Sequence, residues 1–137
     1  MGSAVIRRED WPMRLSGALE SARNQPFQWG AHDCALFAAD CVLAMTDRDF
    51  AAEFRGTYDS KDSAAAVLAR ESLEQIATRF LGERLASVNL AQRGDVMHRV
   101  QGEVPALGIC IGDQAIFLGL RAFLWVPVQE CSAAWHV

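Results

Sequence analysis

The sequence lacks several features that would assign a protein to a class at once. No window approaches the roughly 18 consecutive apolar residues of a membrane-spanning helix, so we expect no membrane span. The first ten residues do not show the basic stretch, apolar core and cleavage site of a secretory signal. Lys61 is the only lysine, and the formal net charge is −4. Since nucleic-acid binding usually needs a basic face, this balance argues against a nucleic-acid partner.

Metal and redox motifs are also missing. The four cysteines, Cys34, Cys41, Cys110 and Cys131, form no CxxC pair. This excludes a zinc ribbon and a thioredoxin-type motif, and a metal or iron–sulfur site built from all four has no support from their spacing. We therefore predict no metal and no cofactor. The preferred interpretation is three small buried hydrophobic residues and one special thiol.

The patterns that are present predict one α+β domain over residues 1–137. Hydrophobic residues make up 51% and charged residues 22%, which are globular values. Apolar spacing predicts helices over residues 8–23, 34–45, 62–69 and 73–81, with a short helical turn over 49–54. Short strands separated by glycines are predicted over 95–100, 106–111, 114–118 and 123–126, with a final edge strand over 131–137. Segregated helices and strands favour an α+β fold with an antiparallel sheet of about four or five strands.

The start of the second predicted helix carries the clearest chemical signal, His32-Asp33-Cys34. This helix is apolar on almost every face, which indicates a central position, and Asp33 is well placed to cap it. A thiol at a helix N-terminus faces the positive end of the macrodipole, which lowers its pKa, and the backbone N–H groups there can hold an oxyanion. The competing interpretation is a buried structural cysteine.

A cysteine nucleophile also needs an imidazole base, and the chain has three histidines. His32 is only two residues from Cys34, so a positioning or capping role is expected. His98 lies on the first predicted strand and shares a face with Val96 and Val100. That face suits a core histidine as well as a base directed inward. For His136, close to the end of the sequence, exposure is expected.

Several short motifs occur in the order of a known family. Trp29-Gly30-x-x-Asp33-Cys34 before an apolar helix resembles the nucleophile motif of the NlpC-type cell-wall peptidases, which are small papain-like proteins. Arg93-Gly94-Asp95-Val96-Met97 is similar to that family's first strand, and the segment 107–113 is similar to its second. Arg55-Gly56-Thr57-Tyr58 and Ala134-Trp135-x-Val137 resemble a subgroup encoded in the tail gene clusters of phages and prophages.

The resemblance implies a papain-like domain in which the Cys34 helix packs on the C-terminal antiparallel sheet. It implies Cys34 as the nucleophile and Trp29, Gly30, His32 and Asp33 as residues that bind substrate or support the site. The family's base position corresponds to Ala106, and its third polar residue falls near Leu118, so only the nucleophile of the triad carries over.

Two functions follow from this mixture of matches and departures. The first is a structural component of a phage or prophage tail tip or baseplate, with a degenerate NlpC-type fold that docks onto tail hub proteins. It would be made in the host cytoplasm and reside in the virion tail. The second is an active cysteine endopeptidase or amidase that cuts peptidoglycan peptides, with Cys34 as nucleophile and His98 as base.

Overall fold

Helices precede strands in the computed structural model, which describes residues 6–101 and 104–137. Within these ranges the helices are α1 (Trp11–Arg23), α2 (Leu36–Thr46), α3 (Lys61–Arg70) and α4 (Leu73–Leu81). The strands are β1 (Val96–Gln101), β2 (Val104–Cys110), β3 (Gln114–Leu118), β4 (Phe123–Pro127) and β5 (Ala133–Trp135). Helices packed on a five-stranded antiparallel sheet confirm the predicted α+β class.

Three predicted helical segments differ from the observed ones by more than one residue. α1 begins at Trp11 rather than at residue 8, and the Arg8 N–H donates to the Met45 carbonyl. α2 begins at Leu36, two residues after Cys34, and the Asp33 carboxylate accepts the Ala35 and Leu36 N–H groups, which confirms the predicted cap. Residues 49–54 form turns, with the Asp49 carboxylate accepting the Ala51 N–H. The predicted bounds of α4 and β3 are confirmed.

The sheet has the strand order β4-β3-β2-β1-β5, and all neighbouring strands are antiparallel. The chain therefore forms a meander from β1 to β4 and then returns to add β5 beside β1. This confirms the prediction of a final edge strand. The pairing of β2 with β3 covers only Gly108 to Cys110, so the first half of β2 diverges from β3.

The main core lies between α2 and one face of the sheet. Eight of the eleven α2 residues are buried, as expected for a helix that is apolar on every side. Trp135 on β5 is fully buried there, and its indole N–H donates to the Thr78 hydroxyl at 3.1 Å. A smaller apolar cluster covers the opposite face of the sheet. Within the described ranges no helix is long and apolar enough to cross a membrane, as the sequence predicts.

Candidate functional site

The residues before α2 form a tight loop, the cysteine loop (residues 28–35). Gln28 and His32 exchange backbone hydrogen bonds of 2.8 Å, which closes the loop on itself. Gly30 has a φ of 81°, and a Cβ there would lie 1.9 Å from the Tyr58 carbonyl oxygen. Only glycine fits this backbone and this close approach. Gly30 of the sequence motif is therefore a structural requirement of the loop.

Asp33 holds the cysteine loop together from inside. Its side chain is 1% exposed. One carboxylate oxygen accepts the N–H groups of Ala35 and Leu36, both at 3.0 Å. The other accepts the Gly30 N–H at 2.9 Å and the Tyr58 hydroxyl at 2.6 Å. These four hydrogen bonds satisfy the buried carboxylate without a cation. Its negative charge therefore remains uncompensated beside Cys34, the next residue in the chain.

Cys34 sits where β2 diverges from β3. Its carbonyl accepts the Leu107 N–H at 2.9 Å, so the cysteine backbone takes the place that β3 leaves open. Its thiol donates to the Pro105 carbonyl oxygen at 3.7 Å. Cys34 is partly buried and lines both a small apolar cavity of about 50 Å³ and a larger, somewhat more open cleft of about 310 Å³.

The surroundings of Cys34 favour the neutral thiol. Burial, with a smaller contribution from the Asp33 charge, raises the pKa of Cys34 to about 12. This is opposite to the lowering expected from a helix N-terminus. The main physical reason is burial of the thiol, and in addition the Asp33 carboxylate accepts the Ala35 and Leu36 N–H groups at the start of the helix.

His98 lies on the other side of β2 from Cys34. Leu107 pairs with His98 on one edge of β2, while its N–H donates to Cys34 on the other. The imidazole Nδ1 is 2.6 Å from the Ser132 hydroxyl and 3.8 Å from the Glu74 carboxylate, and the ring meets Trp135 edge-on. Burial lowers the pKa of His98. Its described contacts do not include Cys34.

The residues at the family's base position and third polar position are both apolar, and the structure places both of them beside Cys34. Ala106 and Leu118 both line the open cleft beside Cys34. Across the β1–β2 ladder Ala106 pairs with Arg99, which also lines the cleft, as does Lys61. No histidine is among the described residues that line it. The cleft therefore brings two cations and no general base to the side of the thiol.

His32 and Trp29 both support the loop. His32 is 1% exposed, and its Nε2 is 3.1 Å from the Ala22 carbonyl oxygen. Its Nδ1 has no hydrogen-bond partner among the described residues and lies 3.8 Å from the Asp40 carboxylate. Trp29 lines the cleft, and its ring meets Phe27 edge-on with centroids 5.0 Å apart. A positioning role for His32, as the sequence suggests, fits these contacts.

Sequence reasoning assigned no role in the site to Tyr58, the chain's only tyrosine. Its hydroxyl donates to Asp33, and burial is the main cause that raises its pKa. Gly56, two residues before Tyr58, donates its backbone N–H to the Gly30 carbonyl at 3.0 Å. The only available signal was the motif Arg55-Gly56-Thr57-Tyr58, whose spacing gives no reason to pair it with the cysteine loop.

The remaining cysteines lie apart from this chemistry. Cys41, Cys110 and Cys131 are buried, and all four thiols are free. Burial raises the pKa of each of the three. Across the described parts of the chain, no group of three histidine, cysteine or acidic side chains is arranged to hold a metal ion.

Comparison with known proteins identifies one relationship. Residues 6–137 match a family described as a domain of unknown function (DUF6950). No curated protein and no solved structure matches the chain. The match covers the cysteine loop, the cleft and all five strands.

Proposed function

The chain belongs to the DUF6950 family, and we propose that it is a non-catalytic domain of papain-like, NlpC-type architecture. In this proposal it is a structural component of a phage or prophage tail tip or baseplate and docks onto tail hub proteins. One observation carries the non-catalytic part. The Cys34 thiol donates to the Pro105 carbonyl in a cleft whose described lining contains no base.

The arrangement of elements supports a papain-like origin. A cysteine precedes a buried helix, α2, which packs on an antiparallel sheet whose second strand passes beside the cysteine. NlpC-type peptidases combine the same parts in the same order. The departure is at the base position, where Ala106 carries no titratable group. Fold alone does not carry the activity, because function depends on the groups in the site.

The chemistry of Cys34 supports loss of catalysis. A thiol with a pKa of about 12 is ionised in only about one molecule in 10⁵ at pH 7. Acyl transfer needs the thiolate, and an adjacent imidazole both activates the thiol and later protonates the leaving group. Because triad members act as a unit, a nucleophile without its base loses most of the rate enhancement.

The motifs similar to the tail subgroup have structural roles. Tyr58, from the motif at 55–58, supports Asp33 in the cysteine loop. Val137, from the closing motif, donates its N–H to Asp95 in the motif similar to the family's first strand. The chain thus keeps the contacts that support the cysteine loop but lacks the base. This combination is expected of a fold that is retained for structure and not for catalysis. The tail setting rests on the resemblance of these motifs.

A paired experiment tests both parts of the proposal. The purified chain is incubated with peptidoglycan, and released peptides are measured by mass spectrometry. In parallel, the gene in its phage or prophage is replaced by Cys34→Ala, by the buried-cysteine control Cys41→Ala, or by a deletion. We expect no peptide release, as many tail particles with Cys34→Ala as with the unchanged chain, and loss of particles with the deletion.

Two results would overturn the proposal. Peptide release that disappears with Cys34→Ala and falls sharply with His98→Gln would establish the alternative, a peptidase with His98 as base. Normal tails assembled in the deletion strain would exclude the structural role. Cys41→Ala controls for the loss of a buried sulfur on α2, since Cys41 does not line the cleft.

A further inference from the structure

The two edges of the sheet end differently. At the β5 edge, the Ala134 carbonyl accepts the Leu85 N–H at 2.7 Å, so a neighbouring segment covers the strand. At the β4 edge, the outward N–H and C=O groups form no hydrogen bond with a described residue. An uncovered edge of this kind is a ready template for another strand.

The ladder between β3 and β4 identifies which groups face outward. Beyond the two ends of β4, Val128 donates to the Asp113 carbonyl and Gly119 donates to the Ala122 carbonyl. Hydrogen-bonded pairs recur at every second residue of an antiparallel ladder. The N–H and C=O groups of Leu124 and Val126 therefore point to β3. Those of Phe123 and Trp125 point away from the sheet.

Two apolar side chains of this edge strand are exposed. Leu124 is 42% exposed and Trp125 is 52% exposed. The strand sequence, Phe123 to Pro127, contains no charged residue. Proteins usually protect an edge strand with a charge, a bulge or a covering segment. Within the described structure β4 carries none of these, apart from the proline at its end.

We propose that β4 pairs with β4 of a second copy of this chain, antiparallel about a two-fold axis at Leu124. The outward groups of Phe123 and Trp125 then bond to those of Trp125 and Phe123 in the second copy. The two Leu124 side chains face each other in a non-hydrogen-bonded pair, where side chains are closest. Each Phe123 side chain lies beside the Trp125 ring of the other copy, on the face of the joined sheet opposite to the Leu124 pair.

Charge favours a second copy as the occupant. Arg121 precedes β4 and Glu130 follows it, and both are exposed without an ion pair to any described residue. Antiparallel pairing brings the start of one β4 to the end of the other. With the axis at Leu124, Arg121 of each copy lies opposite Pro127 of the other, at the end of β4 that leads to Glu130, and no like charges meet at the axis. The inference does not depend on the tail role.

Light scattering during size-exclusion chromatography tests the dimer. We expect the unchanged chain to show twice the 15.1 kDa chain mass. Leu124→Lys and Leu124→Glu each place like charges against one another at the axis, so each variant alone is expected to show the monomer mass. Mixed in equal amounts they place opposite charges there, and the dimer mass is expected to return. Val100→Lys, which adds a charge at another exposed apolar strand residue, is expected to stay dimeric.

Hydrogen exchange tests the same pairing without a substitution. The Phe123 and Trp125 amides are expected to be protected at high concentration and to lose that protection on dilution, while Leu124 and Val126 stay protected. A monomeric unchanged chain, dimeric Leu124→Lys, or fast exchange at Phe123 and Trp125 at every concentration would overturn the proposal. A monomer with an open β4 edge would instead leave that edge to a strand from another protein.

Discussion

Two buried carboxylates, Asp33 and Asp95, organise different parts of this fold with different donors. Each is 1% exposed and accepts four hydrogen bonds. The donors to Asp33 are three backbone N–H groups and the Tyr58 hydroxyl, all neutral. The donors to Asp95 include the Arg7 guanidinium at 2.9 Å, with the Gln92 and Val137 N–H groups and the His136 ring.

The comparison shows that a buried aspartate can have two different structural roles, depending on which groups donate hydrogen bonds to it. Three of the donors to Asp33 lie within three residues of it, so this carboxylate shapes a local loop and leaves its negative charge beside Cys34. Asp95 joins residues far apart in sequence, since Arg7 also donates to the Val137 carbonyl at 2.6 Å. A cation compensates the charge of Asp95, and the result is a tie between the two ends of the described structure.

The largest effect is expected at Asp95. Asp95→Ala leaves the mostly buried Arg7 guanidinium and two N–H groups without their partner, and losing one member of a buried pair costs about 3–5 kcal/mol. Urea unfolding followed by circular dichroism measures the change in free energy of unfolding. The control is Asp113→Ala, which removes an exposed carboxylate from a turn. Equal free energies for the two variants would contradict a tie through Asp95.

A glycine beside each carboxylate sharpens the comparison. Gly30→Ala places a Cβ 1.9 Å from the Tyr58 backbone oxygen, whereas Gly94→Ala places one 2.7 Å from the end of the Arg7 side chain. Both backbones have positive φ, but only the Arg7 side chain can move aside. We expect a loss of about 3 kcal/mol for Gly30→Ala and a smaller loss for Gly94→Ala. Thermal unfolding of both variants checks the order, and the reverse order would contradict it.

The sequence predicted the periodic parts of the fold well. α4 has strong apolar spacing and a glycine after it, and its bounds are those predicted. β3 was predicted between the turns at Gly112 and Gly119, and the final edge strand was predicted over the tail, residues 131–137. The Asp33 cap predicted from the sequence is confirmed, since its carboxylate accepts the Ala35 and Leu36 N–H groups. The regular part of α2 nevertheless begins at Leu36, two residues later than predicted.

The site was predictable only in its individual residues. The pattern around Cys34 identified the loop, and the absence of histidine at Ala106 was visible in the sequence. The separation of Cys34 from His98 was not, since it depends on β2 pairing with β1 on one edge and with the cysteine loop on the other. The Asp33–Tyr58 contact joins residues 25 apart, and no local pattern indicates such a pair.

The smallest change in stability is expected at Asp33, where a single charge is removed and a chemical signal appears. In Asp33→Asn the amide oxygen still accepts the Ala35 and Leu36 N–H groups, while the Gly30 N–H loses its acceptor. We expect a loss of about 1–3 kcal/mol.

Removing the charge next to Cys34 lowers the pKa of the thiol, although burial, the larger cause, keeps it above its ordinary value. More thiolate then exists at each pH, so iodoacetamide should alkylate Cys34 faster than in the unchanged chain from neutral to alkaline pH. Mass spectrometry resolves the four thiols, and Asp59→Asn, an exposed carboxylate beside Tyr58, serves as the control. An unchanged alkylation rate in folded Asp33→Asn would mean that burial alone raises the pKa of the Cys34 thiol. The Asp33 charge, although its donors are neutral, would then have no effect on that pKa.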